Sequence, residues 1–144
     1  MSSTATNQNE KSTTLKPNSA SHLTVHWKEL PHWQRDNHHI HTSYRPASNS
    51  FTRSIASLFY LHNESVNVYS HLLGACLALF SGLYVYGSVI RPRYDQQATL
   101  QDVKVFSAFF VGAVGCLTIS SGYHLLSNHS QWVSGWGNRA DYLG

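Results

Sequence analysis

Two groups of polar residues stand where an otherwise apolar stretch of chain has little reason to carry them. Ser120 and His124 lie four residues apart near the end of VFSAFFVGAVGCLTISSGYHLL, Val105 to Leu126. On a helix that spacing puts both on one face, one turn above the other. A histidine can ligate a metal or move a proton, and a hydroxyl beside it can hydrogen-bond the ring. Inside a membrane span such a histidine is a functional hypothesis by default. The plainer alternative is a ring that reaches interfacial water and a serine bonded back to its own helix. Glu64, Asn67 and His71 form the second group, at i, i+3 and i+7. A helix turns these three to within about 60° of one another, as one polar stripe. Its plainer alternative is a solvated helix entrance in which Asn63 or Glu64 serves the N-terminus.

The elements that must position these groups are two apolar runs. Val105 to Leu126 carries no charge and has the length, about twenty residues, that crosses a bilayer core of roughly 30 Å. A span over about 104–126 is expected from it. The run His71 to Ile90 predicts another span over about 66–90, and its Gly74, Ala75, Ala78, Ser81 and Gly82 would let a second helix approach closely. Tyr84 and Tyr86 suit the far interface. Arg91-Pro92-Arg93 is expected to stop that helix, and the short linker to about Lys104 forces an antiparallel hairpin. The start of one span and the end of the other then share a side of the membrane. Topology thus brings the Glu64/Asn67/His71 stripe level with the Ser120/His124 pair, and two level polar clusters are harder to dismiss than either alone.

Averages conceal this organisation. The chain has 144 residues and a net charge of +3, with pI near 9.0 and a mean hydropathy of -0.27, values that suggest an ordinary, mildly basic soluble domain. They average a polar half with an apolar one. No basic cluster is interleaved with aromatics, so no nucleic-acid partner is expected. Cys76 and Cys116 both fall in the apolar runs and read as lipid-buried thiols. Met1 to Ala20 lacks the apolar core of a secretory signal, so insertion is expected to start at a later span.

The flanking segments read as follows. Residues 1–49 are expected to form a polar, largely disordered tail, most clearly over the Ser/Thr/Asn-rich residues 1–21. Residues 22–50 hold six of the ten histidines together with Trp27 and Trp33. The run His38, His39, His41 lacks a cysteine or a second ligand pair at finger-like spacing, so a polar, partly ordered segment whose tryptophans lie against the membrane interface or the protein's own cytosolic face is favoured over a metal site. Ile55, Leu58 and Phe59 recur at helical spacing and predict a short interfacial helix over 53–62. Trp132 and Trp136 are candidate interface anchors, with a third helix beginning at about 139. The sequons at Asn63 and Asn128 lie so near the spans that neither is expected to be glycosylated. Arg45 and Arg53 on one side, against Arg91, Arg93 and Lys104 in the connecting loop, leave orientation open on charge alone.

YRPASNSF at 44–51, SLFYLHNESVNVYSHLLGA at 57–75, FFVGAVGCLTISSGYH at 109–124 and DY at 141–142 resemble, in order and spacing, the progestin and adiponectin receptor family, which includes the hemolysin-III-like proteins. The resemblance covers roughly residues 42–144 and points to the fungal type. It implies an all-α integral membrane protein, a seven-helix bundle with a cytosolic N-terminus and a zinc ion near the cytosolic face. It also implies that His124 is a zinc ligand beside two histidines of a late His-x-x-x-His motif, that Asp141 holds the attacking water, and that Ser120 stands beside the site. Zinc with an open position lowers the pKa of a bound water toward 7, and a carboxylate can aim that water at a carbonyl, here of a lipid amide of the ceramide type.

No late His-x-x-x-His occurs in these 144 residues, and a catalytic zinc site wants three protein ligands. The expectation is therefore a truncated member of a lipid amidase or receptor family linked to lipid and zinc homeostasis and signalling, carrying part of the site and inactive alone. The expected partners are membrane lipids, a lipid substrate, and a packing helix or full-length relative. Two other readings compete: a short two-span adaptor that pairs with other membrane proteins, and a plain anchor for the polar tail.

Overall fold

The structure is a computed structural model that describes residues 23–94 and 98–143. The expected disorder of residues 1–21 falls outside that range. The described residues are helical apart from loops and one isolated antiparallel bridge, Val25 with Tyr44.

A short first helix, α1 (Phe51–Ala56), is capped by the Ser50 side chain, which accepts from the Arg53 amide, and passes into a 3-10 turn, Ser57–Phe59. The interfacial helix expected over 53–62 is thus shorter and starts earlier, because the cap residue sits at 50. α2 (Ser65–Val85) is entered through a turn in which the His62 amide donates to Ser65 Oγ at 2.9 Å and His62 Nδ1 accepts from the Glu64 amide at 3.1 Å. It continues through a π-helical turn, Tyr86–Ile90, into a last short turn, α3 (Arg91–Arg93). The helix thus stops within the expected Arg91-Pro92-Arg93, at Arg93, a little beyond the boundary expected near 90. The helix runs past Pro92, whose ring would press on the carbonyl four residues back, and the wider turn before it relieves that crowding.

α4 (Leu100–Leu126) begins four residues before the boundary read from hydropathy, because Thr99 and Asp102 form a capping box. The Asp102 amide donates to Thr99 Oγ1 at 3.3 Å and the Thr99 amide to Asp102 Oδ2 at 2.8 Å. α5 (Gln131–Leu143) follows after a four-residue turn, eight residues earlier than the start expected near 139.

α2 and α4 pack as the antiparallel hairpin that the short linker requires. A Cβ on Gly74 would stand 3.2 Å from Leu117 Cδ1, and one on Gly82 would stand 2.9 Å from the Phe110 ring. The partner number falls as the α2 number rises, which fixes the antiparallel sense, and the missing side chains let the backbones close. The helices Ser65–Arg93 and Leu100–Leu126 are each long and apolar enough to cross a membrane, and only 11% and 6% of their most apolar stretches are buried in the structure. A core helix of a soluble protein would be mostly covered. Here Leu72, Leu73, Phe80, Phe109 and Val111 are exposed, the arrangement of a surface meant for lipid or further helices.

Residues 23–49 correct the expectation of a largely disordered tail. They form a folded layer tied by Val25 and Tyr44 backbone pairing at 2.7 and 3.1 Å and by the Trp27 amide on His41 O at 3.0 Å. Leu30 and Tyr44 are buried within it. The Ser48 and Asn49 amides donate to Asn128 O and His129 O, both at 2.8 Å, fastening the layer to the loop between α4 and α5.

Candidate functional site

The hairpin brings five of the six residues singled out in the sequence to one place. Glu64, at the N-cap of α2, makes no capping bond with its side chain. Its carboxylate instead accepts from Asn63 Nδ2 at 2.8 Å, from Asn67 Nδ2 at 2.9 Å, and lies 2.7 Å from His124 Nδ1 on α4. About two turns further along α2, His71 Nδ1 lies 2.6 Å from Ser120 Oγ. The His71 and His124 rings meet edge to face at 5.6 Å. These contacts depart from the plainer readings at two residues: Ser120 bonds across the hairpin and not back to its own helix, and the Glu64 side chain does not cap α2.

Asp141 is the exception. It lies on α5, half-buried, and makes no hydrogen bond to the cluster among the described residues. Tyr123 fills the seam between α4 and α5, where a Cβ on Gly137 would come within 2.9 Å of its ring.

The geometry fixes a protonation pattern. A carboxylate only accepts, so His124 Nδ1 must carry the hydrogen that points at Glu64, and in the neutral ring Nε2 is left with its lone pair. Burial alone would raise the Glu64 pKa. The hydrogen bonds from His124 and Asn67, together with the Arg45 charge, outweigh it and hold the carboxyl below the usual range.

Above the cluster the 23–49 layer closes a cavity of about 290 Å³ whose walls include Trp33, Asp36, Tyr44, Glu64, Asn67 and His124. Three further residues shape this region that sequence reasoning did not assign to the site. Arg45, 2% exposed, spans from the layer to the end of α4. Asn128, also buried, donates Nδ2 to Pro46 O at 3.1 Å and accepts from Ser54 Oγ at 2.9 Å. Burial and the neighbouring Arg45 charge push His62 down to about 4 against weaker raising effects of Glu64 and a Ser57 backbone hydrogen bond. An arginine and an asparagine within polar, loop-like sequence carry no period that marks them for burial. The signal in reach was the Tyr44-Arg45-Pro46 run inside the recognised pattern.

As for a metal, no three His, Cys, Asp or Glu side chains gather at one point among the described residues. What does fit is one position. A metal-ligating histidine characteristically donates its other ring N–H to a carboxylate, and His124 does so to Glu64.

Comparison with known proteins agrees with the architecture. The Haemolysin-III related family matches residues 59–144. The chain is 45% identical over 118 residues to the ADIPOR-like receptor IZH2 of Saccharomyces cerevisiae, covering 82% of this chain and 36% of that protein. It is 40% identical over 125 residues to the adiponectin receptor protein of Drosophila melanogaster, covering 87% and 27%. It is also 36% identical over 103 residues to progestin and adipoQ receptor family member 3 of Homo sapiens, covering 72% and 32%. The chain thus spans about a third of the length of these relatives or less. With two helices of membrane length and these relatives, the chain is an integral membrane protein that belongs to the haemolysin-III-related family, the group of the progestin and adiponectin receptors.

Proposed function

We propose that Glu64, Asn67, His71, Ser120 and His124 are the contribution of this chain to a zinc site for lipid amide hydrolysis, within a seven-helix bundle whose N-terminus is cytosolic. The observation that carries the reading is the 2.7 Å contact of His124 Nδ1 with Glu64, which leaves Nε2 free to ligate. Zinc, when bound, supplies a Lewis acid and an acidified water. Glu64 fixes the ring tautomer and Asn67 holds the carboxylate in place. Ser120, held by His71, presents a hydroxyl beside the site, and Asp141 is assigned to orient the attacking water by its place in the family pattern. Residues 1–144 offer one ligand of the three that a catalytic zinc wants, so by themselves they are inactive.

The test compares residues 1–144 with the native protein captured by an antibody to residues 23–50. Zinc content and release of fatty acid from a ceramide-type amide are measured in each. The native protein is expected to hold zinc and to lose it with His124→Ala, whereas residues 1–144 hold little and release nothing. A native protein that is free of zinc, or that keeps zinc without His124, overturns the reading.

A second reading, a two-span adaptor, has one observation in its favour. The groove between α2 and α4, about 520 Å³ and walled by Leu79, Leu83, Phe106 and Phe110, is almost wholly apolar and suits another helix. Cross-linking in native membranes separates the readings, because an adaptor is recovered at its own mass bound to a different membrane protein.

A further inference from the structure

The Arg45 guanidinium reaches across the molecule to the last turn of α4. Its Nη1 donates to Leu125 O at 2.7 Å and to Ser57 Oγ at 2.9 Å, and its Nη2 to His124 O at 2.6 Å and to Ser127 Oγ at 3.0 Å. The carbonyls of a last turn have no partner within the helix, and the partial negative charge of the helix end lies on them. Arg45 answers both needs. Yet helices commonly end on a backbone motif that requires no charge at all, and a buried arginine is expensive unless its donors are paired. Burial does lower Arg45 to about 10, against the opposing charges of Glu64 and Tyr60, which still leaves it protonated at neutral pH. A planar fork that serves four acceptors on two segments, the end of α4 and the 3-10 turn at Ser57, fixes their relative placement in a way a flexible ammonium cannot.

One of those acceptors is the backbone carbonyl of His124 itself. Its ring must keep Nδ1 within hydrogen-bond reach of Glu64 on the facing helix, and a shift of the turn by about 1 Å would weaken that bond steeply. We propose that Arg45 is a positioning residue for His124: by holding the last turn of α4 at a fixed height against α2, it keeps the His124 ring in the tautomer that leaves Nε2 free. The folded 23–49 layer is then part of the site and not an appendage. This inference rests on His124 being the functional histidine of the site, but its test needs no metal.

The test is the ¹⁵N spectrum of histidine-labelled protein in micelles at pH 8, where ring nitrogen shifts report which nitrogen carries hydrogen, with His124 assigned by its loss in His124→Gln. In the wild type His124 gives the Nδ1–H form. In Arg45→Ala the ratio of that form to the other is expected to fall about tenfold, the effect of losing one orienting hydrogen bond, and Arg45→Lys is expected to restore part of it while helix content stays constant. Arg53→Ala, at an exposed arginine, serves as the unchanged control. A His124 that keeps its tautomer in Arg45→Ala overturns the proposal, as does a Lys variant indistinguishable from wild type. If Arg45→Ala does not fold, the partial fall in Arg45→Lys, which keeps the charge and loses the fork, is read in its place, and an unchanged His124 signal there overturns the proposal. A zinc-free native protein with the tautomer result intact sinks the proposed function and leaves Arg45 in this role.

Discussion

Glu64 Oε2 stands 2.7 Å from His124 Nδ1, joining the entrance of one membrane helix to the exit of the next across 60 residues of chain. The contact is part of a shared carboxylate, since Asn67 Nδ2 lies 2.9 Å from the same oxygen. With Asn63 Nδ2 on the other oxygen at 2.8 Å, removing the carboxylate strands three donors at once.

Glu64→Ala is therefore expected to destabilise the hairpin by about 2 kcal/mol, the usual effect of leaving buried donors unpaired. Glu64→Gln keeps the shape but brings an amide that must donate as well as accept. It should fall between wild type and alanine when unfolding in micelles is followed by circular dichroism. A Glu64→Ala protein as stable as wild type would show that the carboxylate is a solvated helix entrance after all.

His71 and Ser120 form the second bridge of the hairpin, at 2.6 Å. A double-mutant cycle with His71→Ala and Ser120→Ala is expected to return a coupling of roughly 1 kcal/mol. Ser121 supplies the comparison, because its hydroxyl donates to Val68 O at 3.1 Å and not to His71. The same cycle with Ser121→Ala in place of Ser120→Ala should give a coupling close to zero.

His62 makes stability depend on pH. Its Nδ1 accepts the Glu64 amide at 3.1 Å, which requires an unprotonated nitrogen, and burial with the Arg45 charge lowers its pKa from 6.5 to about 4. The unfolded chain takes up a proton where the folded chain does not, so the contribution is fully present above 6.5 and is lost as pH falls toward about 4. Unfolding midpoints measured between pH 7.5 and 4 should fall through that window. His62→Asn keeps an acceptor for the Glu64 amide and should flatten the fall, leaving the slope that other groups contribute.

Gly82 and Gly112 should respond oppositely to alanine. A Cβ at 82 would stand 2.9 Å from the Phe110 ring, whereas one at 112 meets nothing within 4 Å. Gly82→Ala is expected to cost about 1–3 kcal/mol through overpacking, and Gly112→Ala to be neutral or stabilising by up to about 1 kcal/mol through helix propensity. Thermal unfolding of the two variants in the same micelle decides it.

By itself the sequence determined the two spans, their antiparallel sense and the five polar residues that meet between them. Those follow from local quantities: an apolar run has a length, a short linker forces a reversal, and residues i, i+3, i+4 and i+7 share a helix face. The sequence also held, in Thr99 and Asp102, the true start of α4, a capping signal that hydropathy overrides only when read alone. Tertiary structure alone decided which polar atom met which. That His71 takes Ser120 and Glu64 takes His124 depends on the vertical register of two helices, which close packing at Gly74 and Gly82 sets to within a fraction of a turn. The folding of residues 23–49 was decided at the same level. Besides its own backbone pairing, the segment is held where Arg45 and Asn128 join it to carbonyls and hydroxyls that only the assembled helix ends present.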